Sequence, residues 1–180
     1  KIQKKLQDKN IDCLIINRTD EFLNEYIAND SERLFWATDF SGSAGRAIIN
    51  QDKSYLFVDG RYTFQAKEQV DKSIISLLHL NNFTDELNKN IIKGKCIGLD
   101  PKLHTIEEVI KIIELVDKQK ANLYFTTTNI IDEVWNNKPK RSYGNIFDHP
   151  VKYAGIDSAN KIKSFKAVSY THLRAHETSI

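Results

Sequence analysis

Short apolar runs recur along this chain at intervals that a helix can fill, and that alternation limits the fold more than any other feature. The runs are CLII (13–16), AII (47–49), YLFV (55–58), IISLL (74–78), KCIGL (95–99) and LYF (123–125). Each is shorter than an ordinary helix, and most are rich in β-branched or aromatic residues, so each reads as a buried strand. The segments between them carry helical spacing. Ile2 and Leu6 mark a first helix. Tyr62, Ala66 and Val70 recur every four residues within 61–70, and Phe83, Leu87 and Ile91 do so within 82–92. Thr105 reads as an N-cap, with Glu107 and Glu108 in the first turn complementing the helix dipole. The helix it opens carries Val109, Ile112, Ile113 and Val116 on one face. A last short helix is expected over 130–135. The second and third strands are joined only by the polar Asn50, Gln51, Asp52 and Lys53, as in a hairpin. Strands alternating with helices around one hairpin predict an α/β fold, a mixed β-sheet flanked by helices.

The same pass divides the chain. Residues 136–142 are polar and contain Pro139, so they read as an exit loop or linker. The first domain is therefore expected over 1–141. Residues 142–166 read as the linker and the start of a truncated second domain, with Asp157 or Ser158 capping its first helix. Residues 167–180, AVSYTHLRAHETSI, carry no apolar period continuous with what precedes them. They resemble a translated sequencing adaptor and are expected to be an artefactual or disordered tail. At the other end, KIQKKLQDKN reads as a helix already under way, and the sequence contains no Met. The N-terminus is accordingly expected to be clipped.

At 41% hydrophobic residues the chain has enough apolar side chains for a real core. Its 26 basic and 24 acidic residues are well mixed and leave a net charge of +2, which gives no case for nucleic acid or an anionic membrane. No apolar run approaches the roughly 20 residues needed to span a bilayer. Cys13 and Cys96 both sit in strand-like runs without CxxC spacing, so they read as buried free thiols. His79, His104 and His149 stand in unlike contexts, form no ligand set and read as surface residues. His172 and His176 have the spacing of a zinc-sharing helical pair. A zincin, however, needs its Glu inside that pair, and Glu177 lies outside it.

Two stretches remain as site candidates. Gly42-Ser43-Ala44-Gly45 offers two glycines but leads into a strand, so no helix N-terminus points at an anion and no phosphate loop is assigned. Small residues there instead let the backbone turn tightly and approach a neighbour. Asp59-Gly60-Arg61-Tyr62 directly follows a buried strand. Gly60 permits a sharp turn, and Asp59 can accept bonds from the first helical N–H groups. Arg61 then falls at the C-terminal edge of the sheet, where α/β folds place ligand contacts.

These stretches also carry a resemblance. Glu25 to Ala28, then RLFWATDFSGSAG (33–45), then Asp59-Gly60-Arg61-Tyr62 with Gln65-Ala66 and Gln69-Val70, is similar to the N-terminal domain of Xaa-Pro aminopeptidases. These belong to the creatinase/prolidase superfamily, and the likeness is to the long, three-domain aminopeptidase P form. It extends over about residues 1–166, with Trp135, Pro139, Tyr153 to Gly155 and Lys161 resembling the passage from the first domain to the second. The resemblance implies ribonuclease H-like topology for the first domain. It implies a whole enzyme that releases the N-terminal residue of peptides with proline second, in the cytoplasm and as a homodimer. Two divalent metal ions, commonly manganese, would be held in a C-terminal catalytic domain outside this sequence, with none bound by this chain. Arg61 matches the family's Arg, a substrate contact that reaches towards the active site; no catalytic or metal-binding residue carries over. Asp39 stands where the family usually has glycine, a position that Asp tolerates better than most residues if φ is positive. The same fold also occurs in non-catalytic relatives such as a histone-chaperone subunit. The alternative reading is therefore a stand-alone peptide- or partner-binding module.

Overall fold

The computed structural model describes residues 1–173. One six-stranded sheet carries the first part of the chain, in the order β4-β3-β2-β1-β5-β6. Its strands are β1 (Cys13–Asn17), β2 (Gly45–Asn50), β3 (Ser54–Val58), β4 (Ile75–His79), β5 (Cys96–Leu99) and β6 (Asn122–Phe125). β2 pairs antiparallel with both β1 and β3, while β3–β4, β1–β5 and β5–β6 are parallel. Five strands thus run one way and β2 alone runs the other. All six stand where the apolar runs predict strands, shifted by one or two residues at their ends.

Strand alternation divides the core between the two faces. Leu14 and Ile16 of β1, Ala47 and Ile49 of β2, and Leu56 and Val58 of β3 point to one face. There they meet α1 (Ile2–Asp8), α2 (Arg33–Thr38), α3 (Thr63–Gln69) and α6 (Ile130–Val134) through Leu6, Leu34, Ala66, Ile130 and Ile131. Cys13, Ile15, Ile48 and Phe57 point the other way. They pack on α4 (Phe83–Asn90) and α5 (Ile106–Gln119) through Phe83, Leu87, Ile112 and Val116. The result is helix, sheet, helix: a strand buried on both faces needs apolar residues at every position, which is why β1 is buried throughout.

The structure adds to the sequence reading and corrects it. The sequence pattern does not mark α2, because a six-residue helix shows less than two turns of period. Ile113 lies at the rim of its helix with 37% exposure, outside the buried stripe of Ile112 and Val116. Cys96 is only half-buried, whereas Cys13 is buried and its thiol is pushed up to about 12 by burial and the nearby Asp12. Gly60 has no positive φ, and a Cβ built there meets nothing within 4 Å, so that turn does not need glycine.

Lys1–Arg141 forms one compact unit, distinct from the chain beyond it. The second unit carries α7 (Val151–Ala154) and α8 (Ser158–Leu173), with Gly155 at φ 79° between them. Asp157 caps α8 by accepting the Asn160 N–H at 2.9 Å. α8 continues past Lys166, and its apolar Ile162, Phe165 and Val168 are all more than half exposed. Residues 174–180, including His176 and Glu177 of the zinc-like spacing, lie outside the described residues. Among the described residues, no helix is long and apolar enough to cross a membrane.

Candidate functional site

The strand directions bring the C-terminal ends of β1, β3, β4, β5 and β6 to one edge of the sheet, together with the start of β2. Arg61 stands at this edge, three residues past the end of β3, in the one-turn 3₁₀ segment Gly60–Tyr62 that leads into α3. Its side chain is 74% exposed. Asp59 Oδ1 accepts the Arg61 backbone N–H at 2.9 Å and so starts the turn. The same carboxylate takes the side chain as well, with Arg61 Nη2 2.6 Å from Oδ2 and Nε 3.1 and 3.2 Å from the two oxygens. Hydrogen bonding from Arg61 holds the Asp59 carboxyl below its ordinary value, with a smaller pull from His79 at the end of β4. The guanidinium carbon lies 5.3 Å from the centre of the Tyr62 ring.

The Gly42–Gly45 loop supports that turn. A Cβ at Gly42 would overlap the Phe40 ring and come within 2.9 Å of Tyr62 Cδ1. Phe40 and Tyr62 meet edge to face at 5.8 Å, and the Tyr62 hydroxyl bonds Ser43 Oγ. From α3, Gln69 Oε1 accepts the Ser41 N–H at 3.0 Å, and Gln65 and Gln69 both donate to Ser41 Oγ. Small residues therefore serve close packing of loop against turn, as the sequence implies, and the Ser41 N–H already has a protein partner. Asp39 has φ 60°, the left-handed value that favours glycine, and ends α2.

A second polar group lies further along the same edge, and sequence reasoning misses it. Arg46 Nε donates to Asn17 Oδ1 at 2.7 Å, which orients the amide so that Asn17 Nδ2 faces Leu103 O and His104 Nδ1, the latter at 3.0 Å. Arg46 also reaches Glu108 Oε1 at 3.2 Å and lies 3.9 Å over the Phe83 ring. His104 is buried, not on the surface as expected. Its ring is the largest influence holding Glu108 down to about 2; burial opposes it, and Arg46 and the Thr105 N–H add to it. His104 Nδ1 lies 3.7 Å from Glu108 Oε2 and 3.0 Å from Asn17 Nδ2. The four residues tie β1, β2 and the start of α5 together. The one sequence signal available was the i, i+4 spacing of His104 and Glu108.

Among the described residues, no three or more His, Cys, Asp or Glu side chains are grouped so as to hold a metal ion. Among the described residues, the edge built around Arg61 presents hydrogen-bond donors and no nucleophile paired with a base.

A mixed six-stranded sheet with helices on both faces and a polar edge at its strand ends makes this an α/β domain. The model of the Creatinase/Prolidase N-terminal domain matches residues 1–134, and the chain belongs to that family. It is 30% identical over 171 residues to the "Probable Xaa-Pro aminopeptidase P" of Laccaria bicolor, covering 92% of this chain and 27% of that protein. It is 33% identical over 163 residues to the "Aminopeptidase P2" of Arabidopsis thaliana, covering 87% of this chain and 23% of that one. The chain thus spans about a quarter of the length of these relatives. Among solved structures, the X-prolyl aminopeptidase of Caenorhabditis elegans superimposes with a TM-score of 0.77 at 23% identity, over 89% of this chain and 27% of that one. That protein is described as a cytosolic enzyme with a di-nuclear active site. The N-terminal domain of the peptidase PepQ of Mycobacterium tuberculosis gives a TM-score of 0.55 at 14% identity, over 74% of this chain and 94% of that one. These likenesses support the fold.

Proposed function

We propose that this chain is the N-terminal, non-catalytic part of a metal-dependent Xaa-Pro aminopeptidase, and that Arg61 is its contact with the peptide substrate. The observation that carries the reading is similarity to two aminopeptidases P, at 30% and 33% identity, over about nine-tenths of the chain. The exposed guanidinium at the strand-end edge supports the role of Arg61: it has a fixed charge, several donors and a planar face. The whole protein hydrolyses the bond between a first residue and a proline in second position. It works as a cytoplasmic homodimer with two divalent ions, manganese in this reading, in a domain beyond this sequence. The part described here orients peptide and moves no proton.

The test is kinetic and uses the complete protein that carries this chain. It is expected to release the first residue of an Xaa-Pro peptide, to lose activity with chelator and to regain it with Mn²⁺. Arg61→Ala is expected to lower kcat/KM about ten-fold, in line with loss of one charge-assisted contact. Release of no residue from such peptides would end the functional reading, and unchanged kinetics in the variant would remove Arg61 from the site.

A further inference from the structure

Arg61 is not a bare cation. Asp59 holds its Nε and Nη2 in a fork, and Asp59 is itself fixed by the Arg61 backbone N–H that it caps. The Tyr62 ring lies beside the guanidinium, and Tyr62 is pinned by Phe40 and Ser43. The Nη1 edge of the fork points away from Asp59. A guanidinium already paired with a carboxylate presents hydrogen-bond donors with little net charge behind them. Such a group suits a neutral acceptor, because a second carboxylate would meet the field of the first.

We propose that Asp59 sets the ligand chemistry of Arg61. It turns the guanidinium into a donor for a backbone carbonyl of the peptide and selects against a terminal carboxylate at that place. The inference rests on the proposed peptide contact of Arg61 and adds a specificity-determining residue to it. Asp59→Asn tests it well, since Asn caps a turn as well as Asp does while removing the charge.

The experiment uses the complete protein and one Xaa-Pro tripeptide in two forms, with a free C-terminal carboxylate and with a C-terminal amide. The readout is the ratio of the two kcat/KM values within each variant, which cancels any loss of folded enzyme. Asp59→Asn is expected to shift that ratio towards the free acid by about two- to five-fold, the size typical of an exposed charge contact. The shift is expected to vanish when Arg61→Ala is added. An unchanged ratio in Asp59→Asn, with Arg61→Ala still impaired, overturns the role of Asp59 and leaves the Arg61 reading standing. Arg61→Ala kinetics equal to those of the unaltered protein overturn both.

Discussion

Asp39 is an exposed side chain on which the backbone nevertheless depends. Its φ of 60° closes α2 and turns the chain into the Phe40–Gly45 loop. The left-handed conformation costs most L-residues roughly 1–2 kcal/mol, and Asp less because its short side chain bonds locally. Asp39→Val is therefore expected to lower stability by about 1–2 kcal/mol, although the side chain is exposed. Asp39→Gly is expected to cost nothing, since its freedom in the unfolded chain is offset by relief of strain. Urea denaturation followed by circular dichroism checks both, with the midpoint moving and the slope constant. Gly42 is constrained by space: Phe40 and Tyr62 fill the volume a methyl group would need. Gly60 is constrained by neither backbone nor space. Three small or tolerant residues close together in sequence thus have three different physical standings, and type alone does not tell them apart.

At the scale of elements, the start of α5 joins local and non-local demands. Thr105 and Glu108 form a reciprocal capping box, each side chain accepting the other's backbone N–H at 3.2 Å. Glu108 also belongs to the Asn17–Arg46–His104 group, and its folded value of about 2 lies well under the ordinary 4.5. A depressed carboxyl stabilises the fold above the unfolded value, and that contribution is lost as pH falls from about 4.5 to about 2. Glu108→Gln keeps the capping box, which accepts Gln, and removes the titration. The variant is expected to lose about 1 kcal/mol at pH 7, allowing for solvent screening of a side chain that is a third exposed. The deficit should shrink as pH falls below about 4.5 and approach zero only near pH 2, which stability curves at several pH values would reveal. The capping box could be read in sequence because it lies within four residues. So could the strands and long helices, whose periods repeat within one element. The position of Arg61 followed from a strand end and a turn signal. His104 could not be placed, because its burial depends on Asn17, 87 residues away, and on an arginine in a third element. α2 was hidden for a related reason: its buried Arg33 and Leu34 answer to distant partners and not to a repeat.

Across the whole first unit, long-range order is secured by ion pairs as well as by the sheet. Arg33, with 4% of its side chain exposed, places Nε and Nη2 at 2.9 and 3.0 Å from the two oxygens of Asp132, 99 residues later, and Nη2 also reaches Glu21 at 3.1 Å. Arg141 repeats the pattern, bonding Asp30 at 2.9 Å and Glu21 at 3.3 Å. Burial alone would raise the Asp132 carboxyl, but hydrogen bonds from Arg33 and Lys138 outweigh it and hold the group below its ordinary value. These pairs fasten residues 132–141 onto the segment 20–33, so the end of the unit is tied to its beginning. Arg33→Ala would leave Asp132 half-buried with Lys138 as its remaining partner at 2.8 Å. A cost of about 3 kcal/mol is expected, the low end for breaking a buried pair because Lys138 persists. Removing both charges, in Arg33→Ala with Asp132→Ala, should cost less than the sum of the two single changes, by more than about 1 kcal/mol, since contacting residues do not act independently. Urea unfolding of residues 1–141 in a double-mutant cycle measures that coupling directly. Additive losses would mean that apolar packing of α2 and α6 on the sheet, through Leu34, Ile130 and Ile131, holds the two ends together without help from charge.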